Sequence, residues 1–86
     1  HVPLTILMGA ADDWTPAAPC RELAGRTGFR YIEYPGAYHG FDAPNQPVRV
    51  RTGLGLTSGG QAHVGTNPVA REAAIAEVMK LLIAAR

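Results

Sequence analysis

The sequence has a single cysteine, Cys20, so these residues hold no pair that could close a disulfide. They also lack the grouped thiols of a cysteine-based zinc site. A bond from Cys20 to a cysteine outside these residues stays open. Aromatic side chains are scarce, with one Trp, three Tyr and two Phe, so a core must come from Ala, Leu, Ile and Val. No apolar run approaches the roughly 20 residues of a membrane-spanning helix, and no signal peptide is recognisable. An excess of one charge is missing too. The net charge is +1, and Arg30, Arg49 and Arg51 are too dispersed in sequence to read as a basic stripe. Neither a nucleic-acid nor a membrane partner is expected.

The 86 residues amount to one small domain or part of a larger one. The chain starts at His1 and enters a strand-like run at once, which suggests the C-terminal segment of something longer. The compartment, cytoplasmic or periplasmic, is left open.

The stretch VPLTILMGA (residues 2–10) is continuously apolar and ends in glycine, as expected of a parallel-sheet strand buried on both faces. In the following DDWTPAAPCRELAGRTG, Thr15 and Pro16 read as an N-cap with proline at the first helical position. Pro19 falls in the same first turn, where a missing N–H does least harm. Cys20, Leu23 and Ala24 share a helix face, and Gly25 or Gly28 ends the helix. FRYIEYP (29–35) alternates like a second strand. Together these form a strand–helix–strand unit with parallel strands and a right-handed crossover. Residues 40–66 are rich in Gly, Pro, Asn and Ser and show no sustained period, so a long functional or packed loop is expected. In the last twenty residues Asn67 is an N-cap followed by Pro68. Ile75, Val78, Met79 and Leu82 form an apolar stripe that needs a sheet to lie on.

Ligands of open α/β sheets bind beyond the carboxyl ends of the strands. Here GAADDWTP follows the first strand with Asp12 and Asp13, and GAYHGFD follows the second with His39. A carboxylate that accepts a bond from one imidazole nitrogen fixes the tautomer and leaves the other nitrogen free as a base. Asp12 and His39 are thus candidates for the acid and histidine of a nucleophile–His–acid triad, in the chain order of α/β-hydrolases.

LTILMGAADDWTPAAPCRELA followed by EYPGAYHGFDAP resembles the C-terminal part of the dienelactone hydrolase family of α/β-hydrolases. Gly9, Asp12 and Pro16 match the acid half of the family pattern, and Tyr34-Pro35-Gly36, His39 and Phe41 match the histidine half. The likeness covers residues 2–44, and the last helix fits as well. It implies an α/β fold: the strand–helix–strand–loop–helix piece that ends an α/β-hydrolase parallel sheet, residues 1–86 forming the C-terminal segment of one domain. It also implies an ester or lactone hydrolase without a cofactor, Asp12 as the acid rather than Asp13, and His39 as the base. The nucleophile, Ser or Cys on a G-x-[CS]-x-G elbow, would lie outside these residues. The substrate would be a small ester or lactone, and the partner the preceding part of the domain or a second copy.

The plainer alternatives are specific. Asp13 reads as a helix-flanking carboxylate, and His63 as a chemically silent loop residue. Trp14 and Phe41 could line a substrate pocket or simply pack. Ser58 in GLGLTSGG follows the histidine and has no strand before it, so it is not expected to be the nucleophile. Cys20 reads as a small buried hydrophobe. Asp12, His39, Asp42 and His63 match no common metal-ligand spacing, so no metal is assigned. The competing function is a non-catalytic fragment that serves as a structural or self-associating unit.

Overall fold

The computed structural model describes residues 4–55 and 57–85. Val2 and Pro3, at the start of the first expected strand, lie outside the described residues. The fold is mixed α/β. Its elements are β1 (Thr5–Gly9), α1 (Ala17–Thr27), β2 (Arg30–Tyr34), β3 (Arg49–Arg51), a 3₁₀ turn (Ser58–Gly60), β4 (Ala62–Val64) and α2 (Pro68–Ala84).

β1 and β2 pair in parallel, with Thr5 opposite Arg30 and Gly9 opposite Tyr34. α1 forms the crossover between them. It begins one residue later than the sequence suggests: Pro16, not Thr15, is the N-cap, and no side chain caps the helix. Thr15 is drawn instead into hydrogen bonds with Asp12. The helix ends at Gly28, which takes the left-handed conformation and donates its N–H to Ala24 O. Gly25 stays inside the helix. Ala17 and Ala24 are the buried positions of α1, Cys20 is half-buried, and Leu23 is exposed. The inner face therefore follows 17, 20 and 24, and Leu23 is not part of it.

The core is small. Tyr34, Ala37 and Phe41 pack against Ala70 and Ala74 of α2, with Leu7 and Ile32 at its margin. The Tyr34 and Phe41 rings meet at 5.4 Å between centroids, tilted by 48°, an arrangement that aromatic pairs favour. Asn67 caps α2 as its sequence suggests, its side chain accepting from Ala70 N at 3.1 Å. Arg30 on β2 ties α2 down through Glu77 at 2.8 Å.

Two expectations about burial need correction. β1 is half-buried over residues 5–8, not covered on both faces. The α2 stripe is exposed, with Ile75 and Val78 at 44%, Met79 at 50% and Leu82 at 60%. The cause is common to both. A two-stranded sheet offers too little surface for a 17-residue helix, which packs inward through its two buried alanines, Ala70 and Ala74, and leaves the larger side chains outside.

Residues 40–66 are also more ordered than their composition suggests. β3 and β4 form an antiparallel pair, Arg49 opposite Val64 and Arg51 opposite Ala62. Val64 then bridges to His39 in parallel, and Gly65 donates its N–H to His39 O at 3.1 Å. Three-residue strands give too few alternations to stand out among glycines and prolines.

Gly9 ends β1 where the two strand-end loops touch. A Cβ built there would lie 2.4 Å from Ala37 O. Gly9→Ala is therefore expected to destabilise the protein by about 1–3 kcal/mol through forced displacement of backbone. Gly25→Ala, in open helix surface, is expected to stabilise by about 0.5–1 kcal/mol. Urea titrations of the two variants check the opposite signs.

Candidate functional site

The β1–α1 loop leaves the sheet beside the loop that follows β2. Ala10 N donates to Tyr34 O and Ala11 N to Ala37 O, both at 3.0 Å. These bonds bring Asp12 and His39 together across 27 residues, with His39 Nδ1 3.1 Å from Asp12 Oδ2. The Asp12 carboxylate is held from three further directions. Its Oδ1 accepts from Trp14 N at 2.9 Å and Thr15 N at 2.8 Å, and its Oδ2 accepts from Thr15 Oγ1 at 2.9 Å.

Only 6% of the Asp12 side chain is exposed, against 37% for His39. A nearly covered carboxylate bound by four donors is fixed in place and so orients its partner. Because an ionised carboxylate only accepts, Nδ1 of His39 carries the proton, with Thr15 Oγ1 at 3.3 Å as a neighbour. Nε2 is then the free, basic nitrogen. Among the described residues no hydroxyl or thiol is hydrogen-bonded to Nε2; Cys20 lies on α1 as a free thiol. Ser58 opens the 3₁₀ turn, and its side chain lies outside those described.

His39 opens onto a cleft of about 280 Å³, which Trp14, Gln46, Arg49, Arg51 and Val64 also line. The Trp14 ring lies 4.7 Å from the imidazole, and the Arg51 guanidinium sits 5.3 Å above that indole, within cation–π range. Phe41 does not border this cleft. It is buried in the core and faces an apolar groove of about 340 Å³ together with Leu7, Ile75 and Met79. Of the two aromatic residues considered for a pocket, Trp14 lies beside His39, while Phe41 packs in the core and borders the other groove.

Three features of the site do not show in the sequence reading. Arg49 and Arg51 are two apart on β3, so both point to one face, and that face borders His39. The spacing R-V-R was the available signal, hidden in a segment with no visible strand. The other two are Asp13 and His63. His63 N donates to Asp13 Oδ1 at 2.8 Å, and His63 Nδ1 lies 2.7 Å from Asp13 Oδ2. Tyr38 stacks on the His63 ring at 4.8 Å and 17°. Asp13 is thus not merely a helix-flanking charge, and His63 is not a free loop residue. Among the described residues no group of three His, Cys, Asp or Glu side chains comes together to hold a metal ion. His39 and His63 each face a carboxylate of their own.

The hydrogen bond from His63 holds the Asp13 carboxyl below the ordinary aspartate value of 3.8, opposed by slight burial and aided by the His63 backbone N–H. A depressed folded pKa means that the contact stabilises the fold fully above the unfolded value and is lost as pH falls through the folded one. The His63 backbone amide reports this directly. Its proton chemical shift should titrate with a midpoint below 3.8; a midpoint at or above that value contradicts the pairing.

No protein-family model, curated protein or solved structure matches this chain.

Proposed function

We propose that the chain carries the acid and the base of a nucleophile–His–Asp triad in an ester or lactone hydrolase, as the C-terminal segment of an α/β-hydrolase domain. The observation that supports this reading is the Asp12–His39 pair, held by four donors at the carboxylate and open at the other end of the imidazole. His39 Nε2 would take the proton of a Ser or Cys nucleophile supplied by residues outside this segment and return it to the leaving group. Asp12 would hold the tautomer and stabilise the imidazolium that forms. Arg49 and Arg51 beside the cleft favour a small substrate that bears negative charge near its scissile carbonyl.

In the full-length protein, Asp12→Asn is expected to lower kcat for a p-nitrophenyl ester on the order of 10⁴-fold and His39→Ala on the order of 10⁶-fold. Burst amplitude with His39→Ala should vanish along with turnover. Wild-type hydrolysis by either variant sinks the reading.

A specific observation favours a second reading, that of a self-associating structural unit. The α2 stripe of Ile75, Val78, Met79 and Leu82 is exposed, and such a contiguous apolar face invites another protein surface. Under this reading the 86-residue chain sediments as a dimer or larger, and Val78→Lys returns it to a monomer. A well-folded monomer at high concentration counts against it.

A further inference from the structure

We propose that Asp13 and His63 form a positioning pair that latches the β3–β4 hairpin against the Asp12–His39 site and so sets the wall of the cleft beside His39. This inference concerns the shape of the cleft and stands whether or not the site hydrolyses esters. It begins from the two ends of the hairpin. At one end Arg49 pairs with Val64, and that end is firmly tied. Val64 bridges to His39, and Gly65 N bonds His39 O. Thr66 N donates to Gln46 O, and Gln46 N donates to Thr66 Oγ1, both at 2.8 Å. At the other end Arg51 pairs with Ala62. What holds Arg51 toward the site is its contact with Trp14 at 5.3 Å. An exposed cation–π contact is weak, and every residue of β3 is exposed.

The Asp13 carboxylate acts between these ends. It takes two bonds from one residue of β4, the backbone N–H and the imidazole Nδ1 of His63. A carboxylate that binds both groups fixes the position of the strand and the direction of its side chain together. Tyr38, next to His39 in sequence, stacks on the His63 ring. Since neighbouring residues of a strand point to opposite sides, His63 turned toward Asp13 leaves Val64 turned into the cleft, where it lines the wall with Arg49 and Arg51. Adjacent aspartates therefore divide the work: Asp12 orients the imidazole that faces the cleft, and Asp13 holds the strand pair that encloses it.

The sole tryptophan, Trp14, provides a readout inside the site. Iodide is drawn to the arginines beside it and caesium is repelled, so the ratio of their quenching constants reports whether Arg49 and Arg51 are in place. In His63→Ala, which leaves the charges beside Trp14 in place, that ratio is expected to fall roughly twofold at low salt; Asp13→Ala removes a negative charge next to Trp14 and is read by hydrogen exchange. It should reduce hydrogen-exchange protection of the 49–51 and 62–64 amides about tenfold, consistent with losing hydrogen bonds to a charged acceptor. Protection of β1 and β2 should stay unchanged. His63→Ala should show a smaller loss, because its backbone N–H still reaches Asp13. His63→Asn, which restores a side-chain donor near the Nδ1 position, should recover most of it. In the double variant His63→Ala with Asp13→Ala the effect should not exceed that of Asp13→Ala alone. Wild-type protection in Asp13→Ala together with wild-type quenching in His63→Ala overturns the proposal. So does a uniform loss of protection through β1, β2 and α2, which assigns Asp13 to global stability; the milder Asp13→Asn is measured alongside it. Equal behaviour of His63→Asn and His63→Ala removes the imidazole from the latch.

Discussion

The geometry of this protein depends on how closely two strand ends can approach. Gly9 closes β1 with no side chain, and the Ala37 carbonyl occupies the space a Cβ would need. That approach allows Ala11 N to bond Ala37 O and Ala10 N to bond Tyr34 O, so the two loops are joined by backbone before any side chain is placed. Ala37 is fully buried as a result. Asp12 then sits one residue beyond Ala11 and His39 two residues beyond Ala37, each on backbone with little freedom. The precision of the Asp12–His39 contact is inherited from the sheet, not created by the side chains themselves. Sites built on such rigid elements hold their geometry better than sites carried by loops alone.

Two carboxylates in sequence would repel each other if they faced the same way. Here they are separated by environment and by partner. Asp12 turns inward, is almost wholly covered, and is neutralised by donors from the start of α1 and from His39. Asp13 stays 42% exposed, where water screens its charge, and it turns to His63 on β4. The result is two carboxylate–imidazole pairs of different character in adjacent residues. Only the pair with the buried carboxylate presents its imidazole to the cleft, so only that pair has the form a general base requires.

The parts legible in the sequence are those fixed by local rules. The apolar run ending in Gly9, the N-cap at Asn67 with Pro68 behind it, and a glycine stop for α1, open in the sequence between Gly25 and Gly28, each reflect interactions within a few residues. The loops after β1 and β2 could be placed on one edge because a parallel strand–helix–strand unit leaves no other arrangement. The hairpin could not be read, since its strands are three residues long and their partners lie 11 to 15 residues apart. With the hairpin hidden, the R-V-R spacing of Arg49 and Arg51 could not be tied to a shared face, and the partner of Asp13, 50 residues away, had no sequence signature. Thr15 misled for a similar reason. A threonine before a proline caps a helix by default, but here a nearer carboxylate competes for its hydroxyl.

The apolar stripe of α2 shows where this fold is incomplete in its own terms. A parallel strand pair is ordinarily covered on both faces, and a 17-residue helix carries more apolar surface than two five-residue strands can take up. Tyr34 marks the same deficit from the inside, its hydroxyl buried without a partner at a cost of about 1–3 kcal/mol. Its ring contributes to the core, but its oxygen is left unsatisfied among the described residues. None of the stripe residues borders the cleft beside His39. The apolar deficit and the geometry of the cleft therefore belong to different parts of the chain. A surface that covered Ile75, Val78, Met79 and Leu82 would act chiefly on the folded population, while the Asp12–His39 geometry would still be governed by the backbone joints at Ala10 and Ala11.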